Sequence, residues 1–207
     1  MTNQTENFSE KELAHQEAMK ALKAEQDRKI AAAQPKSGLL MVHTDDGKGK
    51  STSAFGMIIR ALGWGHSAAI VQFIKGDWET GEHRFFQLMG DQLEFHVMGE
   101  GFTWDTQNRA RDIAAAEKAW ETVKTLLSKP SLNLLVLDEL NIAIHYEYLD
   151  ITTVLRDLKA RNPNLHVCIT GRNAHPDLIA AADLVTEMKA IKHPFDQGIL
   201  AQAGVDY

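Results

Sequence analysis

Residues 44–52, with the sequence TDDGKGKST, are the part of the chain whose residue types and spacing point most directly to chemistry. Glycines let successive backbone N–H groups turn inward around an anion, Lys50 can reach phosphate groups, and the Ser51 hydroxyl can hold Mg²⁺. The run is typical of a phosphate-binding loop and predicts that the chain binds a nucleoside triphosphate. The alternative is a turn rich in glycine and lysine that binds no ligand.

The spacing of this loop departs from the usual pattern, in which a glycine stands five residues before the Gly-Lys pair. Thr44 occupies that position here, and Asp45 and Asp46 follow it. The loop is therefore predicted to be one residue shorter than usual, with Gly47 and Gly49 supplying its flexibility. A shorter loop need not hold ATP as ordinary nucleoside triphosphatases do.

Alternating strands and helices are needed to position this loop. Continuous Val/Ile/Leu runs separated by helical patterns predict an α/β fold, a parallel sheet of the phosphate-loop type with helices on both faces. Ligands of such sheets bind beyond the carboxyl ends of the strands. The predicted strands are Leu39–Thr44, Ala68–Phe73, Leu93–Val97, Leu134–Asp138, His166–Thr170 and Leu184–Glu187. The predicted helices are Ser51–Leu62, Gly81–Met89, Asn108–Leu127, Ile151–Ala160 and Pro176–Ala182.

Two acidic residues, Asp138 and Glu139, end one of these strands. In phosphate-loop proteins a carboxylate at this place meets Mg²⁺ directly or through water. The alternative for the pair is a helix-capping aspartate beside a solvated glutamate. Arg172 closes the next strand and Arg60 lies in the first helix after the loop; either guanidinium can bind a phosphate or form a surface ion pair.

A glycine-flanked loop, 99–105, carries two large aromatic side chains, Phe102 and Trp104. Loops face solvent, so aromatic rings there need something to cover them. The rings either pack on the domain itself or clasp a flat, bulky ligand.

Composition narrows the class of protein. With 207 residues, 44% of them hydrophobic and 24% charged, one globular domain is expected. The net charge of −6 argues against nonspecific nucleic-acid binding, and we expect no nucleic-acid partner. The single cysteine, Cys168, lies in an apolar run and is expected to be a buried strand thiol. No stretch is long and apolar enough to span a membrane and the polar N-terminus is unlike a secretory signal, so we expect a cytoplasmic protein.

Residues 1–36 differ from the rest and are predicted to form a helical extension, with a nucleotide- and ligand-binding domain spanning 37–207. The first 34 residues contain no glycine or proline, and Ser9 followed by Glu12 resembles a capping box. The apolar stripe is thin, so the helix either docks weakly or becomes ordered only with ligand. A solvated tail is the alternative.

Taken together, these segments resemble the ATP:corrinoid adenosyltransferases of the CobA/BtuR type over essentially the full length of the chain. Many families share a phosphate loop, whereas the Phe-Thr-Trp run at 102–104 and the Lys-His-Pro-Phe-Asp run at 192–196 are far more particular. The matching segments are 47–52, 71–76, 101–104, 106–109, 136–140, 169–172, 192–196 and 204–207.

The resemblance implies transfer of the 5′-deoxyadenosyl group of ATP to the Co(I) centre of a corrinoid, cobalamin or a precursor, with release of triphosphate. It implies ATP held in a reversed sense relative to ordinary phosphate-loop enzymes, with Mg²⁺ or Mn²⁺ as the metal. It also implies a homodimer, a flavoprotein reductase as a partner, and an N-terminal helix that closes over the corrinoid.

The resemblance also assigns roles to residues. Lys50 and the loop amides hold the triphosphate, and Ser51 and Glu139 ligate the metal with Asp138 behind them. Phe102 and Trp104 lie against the lower corrin face and displace the lower axial ligand, so that Co(II) becomes four-coordinate and easier to reduce. The residues placed against ATP or corrinoid are Thr44, Gly47, Lys48, Gly49, Lys50, Ser51, Thr52, Arg60, Phe102, Trp104, Arg172 and His193.

One position departs from the family pattern. Relatives usually have Thr-Gly-Asn-Gly or Thr-Gly-Asp-Gly before Lys-Gly-Lys, and here Asp45 replaces the first glycine. A carboxylate near the triphosphate repels it unless it points away or joins the metal, although aspartate tolerates positive φ better than most residues. Two other functions stay open: a phosphate-loop kinase or ATPase acting on a small molecule, and a regulator that binds nucleotide or corrinoid without turnover.

Overall fold

Six strands form one sheet in the computed structural model, which describes residues 3–74, 80–98 and 108–207. The strands are β1 Leu40–Thr44, β2 Ala68–Gln72, β3 Leu93–Val97, β4 Leu134–Asp138, β5 His166–Thr170 and β6 Leu184–Glu187. Their order across the sheet is β3-β2-β4-β5-β1-β6, and every neighbouring pair is parallel. All six strands therefore end at the same edge of the sheet.

Helices connect the strands. They are α1 Asn3–Ala32, α2 Lys50–Gly63, α3 Gly81–Phe86, α4 Arg109–Leu127, α5 Leu140–His145, α6 Ile151–Lys159 and α7 Pro176–Ala181, with 3₁₀ turns at Gln87–Gln92 and Pro194–Gln197. Side-chain caps begin several of them: Asn108 accepts from the Arg111 N–H at 3.1 Å, and Asp150 accepts from the Thr153 N–H at 2.8 Å. Such caps satisfy backbone donors that the first helical turn leaves free.

The sheet has a separate apolar core on each face. Because side chains alternate along a strand, Leu135 and Leu137 of β4 pack in the cluster that contains Trp120 of α4, whereas Val136 packs in the cluster that contains Phe55 of α2. Burial on both faces explains why the strands are continuous apolar runs in the sequence. The predicted fold class, a parallel sheet covered on both faces, is confirmed.

The strand predictions agree with the structure to within one residue. Leu39 and Phe73 were placed inside strands and lie just outside β1 and β2. The buried strand thiol expected at Cys168 is also present: the side chain is fully buried in β5, and burial raises its pKa to about 12.

One helix prediction is wrong in its end, and one short helix was not predicted. The predicted helix Gly81–Met89 ends earlier, at Phe86, and the chain continues as a 3₁₀ turn in which Gly90 takes φ 54° and ψ −136°. That backbone conformation is open to glycine and breaks the helical hydrogen bonds. Helix α5 was not predicted, because the run 140–145 is too short for its periodicity to separate helix from strand.

The chain divides into two compact units, Met1–Lys36 and Ser37–Tyr207. The first unit contains the uninterrupted helix α1 of 30 residues, which carries i,i+4 ion pairs between Lys23 and Asp27 and between Glu25 and Lys29, each at 2.7 Å. The predicted N-terminal helix is therefore confirmed, while its closure over a ligand stays a prediction. Within the described ranges, no helix has the combination of length and apolar character needed to cross a bilayer.

Candidate nucleotide-binding site

The three motifs singled out in the sequence meet at the carboxyl edge of the sheet. Strand β5 lies between β4 and β1, so the acids after β4, the arginine after β5 and the loop after β1 are neighbours. This edge is where ligands bind in parallel α/β sheets. The strand order thus brings the three motifs together at one edge of the sheet.

Lys50 is the first residue of α2, and its side chain turns back into the loop that precedes the helix. Gly49 stands before it with φ 110°, a conformation that favours glycine. The Lys50 ammonium donates to the carbonyl oxygens of Asp45 and Gly47, each at 2.7 Å. The side chain is only 7% exposed, and burial lowers its pKa while the Glu139 carboxylate opposes that shift. A positive charge therefore sits at the helix N-terminus, where an anion binds.

Gly47 is held by the segment that follows β6. Its N–H donates to the Met188 carbonyl at 2.5 Å. A Cβ at this position would stand 2.3 Å from that same oxygen and 2.8 Å from the carbonyl carbon of Lys189. Gly47 is thus required by close backbone approach, and Met188 supports the loop from outside.

Asp45, the second residue of the run 44–52, adopts φ 78°. Its Oδ1 accepts from the Asp46 N–H at 2.8 Å. Aspartate can enter this left-handed region because its short side chain bonds to nearby backbone. One oxygen of the Asp45 carboxylate is therefore occupied within the loop itself.

Asp138 is buried and held on two sides. The hydroxyl of Thr170 donates to its Oδ1 at 2.7 Å, and the amide of Gln72 donates to its Oδ2 at 2.9 Å. The same Thr170 hydroxyl accepts from the Glu139 N–H at 3.0 Å. With both oxygens engaged, Asp138 suits a supporting role more than direct ligation.

Glu139 has a carboxylate oxygen that is free to bind a ligand at the carboxyl edge of the sheet. The residue lies in the left-handed region, φ 61°, just before α5, and its Oε2 is buried with no hydrogen-bond partner in the part of the chain that the structure describes. Burial raises its pKa to about 7, helped by the charge of Asp138 and opposed by Lys50 and Arg172. A buried carboxylate oxygen without a donor fits a cation or a proton.

Arg172 lies two residues after the end of β5, beside the phosphate loop. Its Nε lies 3.7 Å from Asp46 Oδ1. Burial is the main cause of the pKa shifts of Lys50 and Glu139; the Arg172 charge adds to the lowering at Lys50 and opposes the rise at Glu139. The guanidinium therefore stands within electrostatic range of the residues predicted to hold phosphate and metal.

Lys48 and His193 meet the C-terminal segment. Lys48 forms an ion pair with Asp206, whose Oδ2 also accepts from the Gln202 N–H at 2.9 Å. The Lys48 hydrogen bond lowers the pKa of Asp206, with a smaller contribution from His193. His193 itself accepts from the Phe195 N–H through Nδ1 at 3.2 Å. His193, one of the residues predicted to bind ATP or corrinoid, therefore lies within electrostatic range of Asp206, which pairs with Lys48 of the phosphate loop.

The other residues predicted to bind ATP or corrinoid make fewer contacts within the site. Thr44 is buried at the end of β1, where its hydroxyl accepts from the Ala174 N–H at 3.1 Å. Ser51 is partly buried in the first turn of α2, Thr52 is exposed there, and Arg60 is exposed in the last turn. Phe102 and Trp104 lie outside the described residues, so their predicted contacts with the corrin stay predictions.

A metal would need ligands from both protein and substrate. In residues 3–74, 80–98 and 108–207, no three His, Cys, Asp or Glu side chains gather into a metal site. The free Glu139 oxygen and the Ser51 hydroxyl nevertheless suit a hard cation whose other ligands are phosphate oxygens and water. The predicted donor set is thus chemically suitable for Mg²⁺ or Mn²⁺.

Several residues that build the site received no role from the sequence. Gln72 and Thr170 were detectable as polar residues at the ends of apolar strands. Asn141 lies inside an apolar run and Met188 contributes only a carbonyl group, so neither had a sequence signal.

Comparison with known proteins identifies a family that binds ATP, in agreement with the phosphate-loop geometry of the site. A family model described as ATP:corrinoid adenosyltransferase BtuR/CobO/CobP matches residues 36–207. The corrinoid adenosyltransferase of Pseudomonas aeruginosa is 53% identical over 198 residues, 96% of this chain and 98% of that protein. The proteins of the same description from Sinorhizobium sp. and Escherichia coli K12 are 50% and 43% identical over 195 and 193 residues, each 93% of this chain and 91% and 97% of the respective relative. The resemblance noted in the sequence is confirmed, and the chain belongs to the ATP:corrinoid adenosyltransferase family.

Proposed function

We propose that the chain transfers the 5′-deoxyadenosyl group of ATP to the Co(I) centre of cobalamin or a precursor, as an enzyme of cobalamin biosynthesis. Membership of the family supports the reaction class. The observation that carries the proposal is the Lys50 ammonium, held at the start of α2 by two carbonyl groups at 2.7 Å. An ammonium placed there is positioned to exchange those carbonyls for triphosphate oxygens.

The reaction is a displacement at the ribose C5′. The Co(I) electron pair forms the Co–C bond as the C5′–O bond breaks, the triphosphate leaves with the electrons of that bond, and cobalt becomes formally Co(III). The nucleophile comes from the corrinoid, so no protein base is needed. The protein contributes orientation, stabilisation of the leaving group and exclusion of water.

Cationic residues around the loop stabilise the leaving triphosphate. Lys50 and Arg172 face it from α2 and from the end of β5, and the amides of Gly49 and Ser51 lie at the helix N-terminus. Lys48 joins them once its ion pair with Asp206 opens. Arg60, Thr44, Gly47, Thr52 and His193 complete the surface that we assign to ATP and corrinoid.

We assign the metal to the same edge. Ser51 and Glu139 would bind Mg²⁺ or Mn²⁺, and Asp138 would orient Glu139 from behind through Thr170. The cation neutralises charge on the triphosphate when bound. Glu139 must be ionised for this role; burial raises its pKa to about 7, and the positive charges of Lys50 and Arg172 oppose that rise.

The roles of Phe102 and Trp104 follow from the resemblance. If they remove the lower cobalt ligand, the double change to Ala abolishes reaction that starts from Co(II)cobalamin with a mild reductant. It spares reaction of cobalt already reduced to Co(I), which has shed its axial ligands. Equal loss in both assays by a folded variant would assign the rings to packing instead.

The test of the activity is anaerobic incubation of the protein with ATP, Mg²⁺ and chemically reduced cobalamin. Formation of the Co–C bond changes the absorbance spectrum, and triphosphate is quantified in the same sample. ADP and phosphate as products would instead identify a kinase or ATPase. Nucleotide binding without any product would identify a binding protein.

The cellular setting extends the proposal. We expect the enzyme in the cytoplasm, without nucleic-acid or membrane partners and acting as a homodimer. A flavoprotein reductase would supply electrons to cobalt. The extension 1–36 would close over the corrinoid bound by the domain 37–207.

A further inference from the structure

Asn141 is a fully buried polar residue beneath the candidate site. It is the second residue of α5, and its exposed fraction is 0%. Buried amides are normally hydrogen-bonded, because an unpaired polar group in the interior is costly. The hydrogen bonds of the Asn141 side chain therefore indicate its structural role.

The side-chain amide of Asn141 connects the ends of two strands. Its Nδ2 donates to the Gly171 carbonyl at 2.9 Å and lies 3.5 Å from the His43 carbonyl. Gly171 follows β5, and His43 is the residue before the last of β1. One NH₂ group thus reaches from the segment after β4 to the end of β5, its neighbour, and to β1 on the far side of β5.

The orientation of this amide follows from its neighbours. Both contacts are carbonyl oxygens, which can only accept, so the nitrogen must face them. The Oδ1 atom is buried with no partner among the described residues. An apolar residue would fill the same space without the cost of an unpaired oxygen. We therefore attribute the role of Asn141 to its NH₂ donor group.

The turn held by Asn141 carries Arg172. Gly171 adopts φ 124°, and a Cβ there would stand 3.0 Å from Asn141 Cβ and 3.1 Å from Glu139 Oε2. The turn is therefore pressed against α5 with no room to shift towards it. Arg172, the next residue, has its Nε 3.7 Å from Asp46 of the loop.

We propose that Asn141 is a positioning residue, which fixes the Gly171–Arg172 turn so that the guanidinium meets the triphosphate of ATP. This inference rests on the proposed function for the identity of the ligand. The Gly171 carbonyl has the Nδ2 of Asn141 as its donor. Without that donor the turn is free to rotate, and the Arg172 fork loses its fixed direction while its charge remains. A fixed fork is what makes an arginine–phosphate contact strong.

A double-mutant cycle on ATP binding tests the coupling. Calorimetry gives the Kd for ATP with Mg²⁺ for wild type, Asn141→Ala, Arg172→Ala and the double variant. We expect Asn141→Ala to raise Kd about tenfold, the loss of one charged contact. The double variant should bind no more weakly than Arg172→Ala alone, because Asn141 acts through that side chain.

Asn133 provides a matched control. Its Oδ1 accepts from the Ser67 N–H at 3.1 Å, at the opposite end of β4 from the site. Asn133→Ala should lower the melting temperature and leave the Kd for ATP unchanged. Asn141→Leu, which lacks the donor but fills the space, replaces the alanine variant in the cycle if the latter does not fold.

Additive losses in the cycle would overturn the proposal, because Asn141 would then act on the loop independently of Arg172. A wild-type Kd in Asn141→Ala or Asn141→Leu would do the same, as would failure of both to fold. The wild-type assay for Co–C bond formation reports separately on the proposed function. Coupled binding without adenosyl transfer would reject that function and keep the positioning role.

Discussion

Gly47→Ala is the change for which the structure predicts the largest effect from a single methyl group. The new Cβ would lie 2.3 Å from the Met188 carbonyl oxygen, 2.7 Å from its carbon and 2.8 Å from the Lys189 carbonyl carbon. All three are backbone atoms, which cannot rotate away as a side-chain end does. The loop or the segment after β6 must therefore move.

The expected magnitude combines two losses. Overpacking of this kind costs about 1–3 kcal/mol. Movement also breaks the hydrogen bond from the Gly47 N–H to the Met188 carbonyl, now 2.5 Å, which adds about 0.5–1.5 kcal/mol. The sum, about 1.5–4.5 kcal/mol, corresponds to a Kd for ATP raised roughly tenfold or more if the loop moves rather than the segment after β6.

Calorimetric titration with ATP, together with thermal unfolding, is the assay. Gly56→Ala is the matched control: Gly56 lies inside α2, and a Cβ there meets nothing within 4 Å. That control should gain about 0.5–1 kcal/mol of stability, since alanine favours helix, and should keep its affinity for ATP. A Gly47→Ala variant that binds ATP within about threefold of wild type and melts normally would refute the close-approach argument.

Three further predictions concern the charges of the site. Lys50→Ala should weaken ATP binding at least roughly tenfold by calorimetry, because it removes a charged contact to the triphosphate; an unchanged Kd would contradict the assignment. Burial raises the pKa of Glu139 from 4.5 to about 7 in the folded state, so between those pH values the folded protein binds more protons than the unfolded protein. Without ligand, stability should therefore fall by about 3 kcal/mol as pH rises through that window, and Glu139→Gln should remove most of this slope in urea unfolding. Asp45→Gly should leave ATP affinity unchanged or increase it, because it removes a like charge and relieves φ 78°; a large loss of affinity would show that Asp45 is a ligand.

The sheet was predictable because its strands are buried on both faces. The runs 134–138 and 167–170 are apolar until their last position, so their limits stand out in the sequence. The motifs at their carboxyl ends could then be placed at one edge. The order β4-β5-β1, which brings the motifs side by side, is set by tertiary packing and could not be derived from local patterns.

The contacts that shape the site were not predictable, because they join residues distant in the chain. The carbonyl that supports Gly47 belongs to Met188, and the amide that holds the turn at Gly171 belongs to Asn141. A backbone carbonyl has no sequence signature. A single asparagine in an apolar run is equally compatible with a helix cap or a surface site.

The position of β1 in the sheet has a consequence for how the protein folds. Residues 40–44 pair with β5 on one side and β6 on the other, more than a hundred residues later. The phosphate loop cannot close until residues 166–188 are available, because the Met188 carbonyl and both flanking strands come from there. A growing chain would carry β1 as an apolar strand with open edges during most of its synthesis, a state prone to aggregation. Nucleotide therefore cannot guide early folding, and it stabilises the chain only once the last strands have been added.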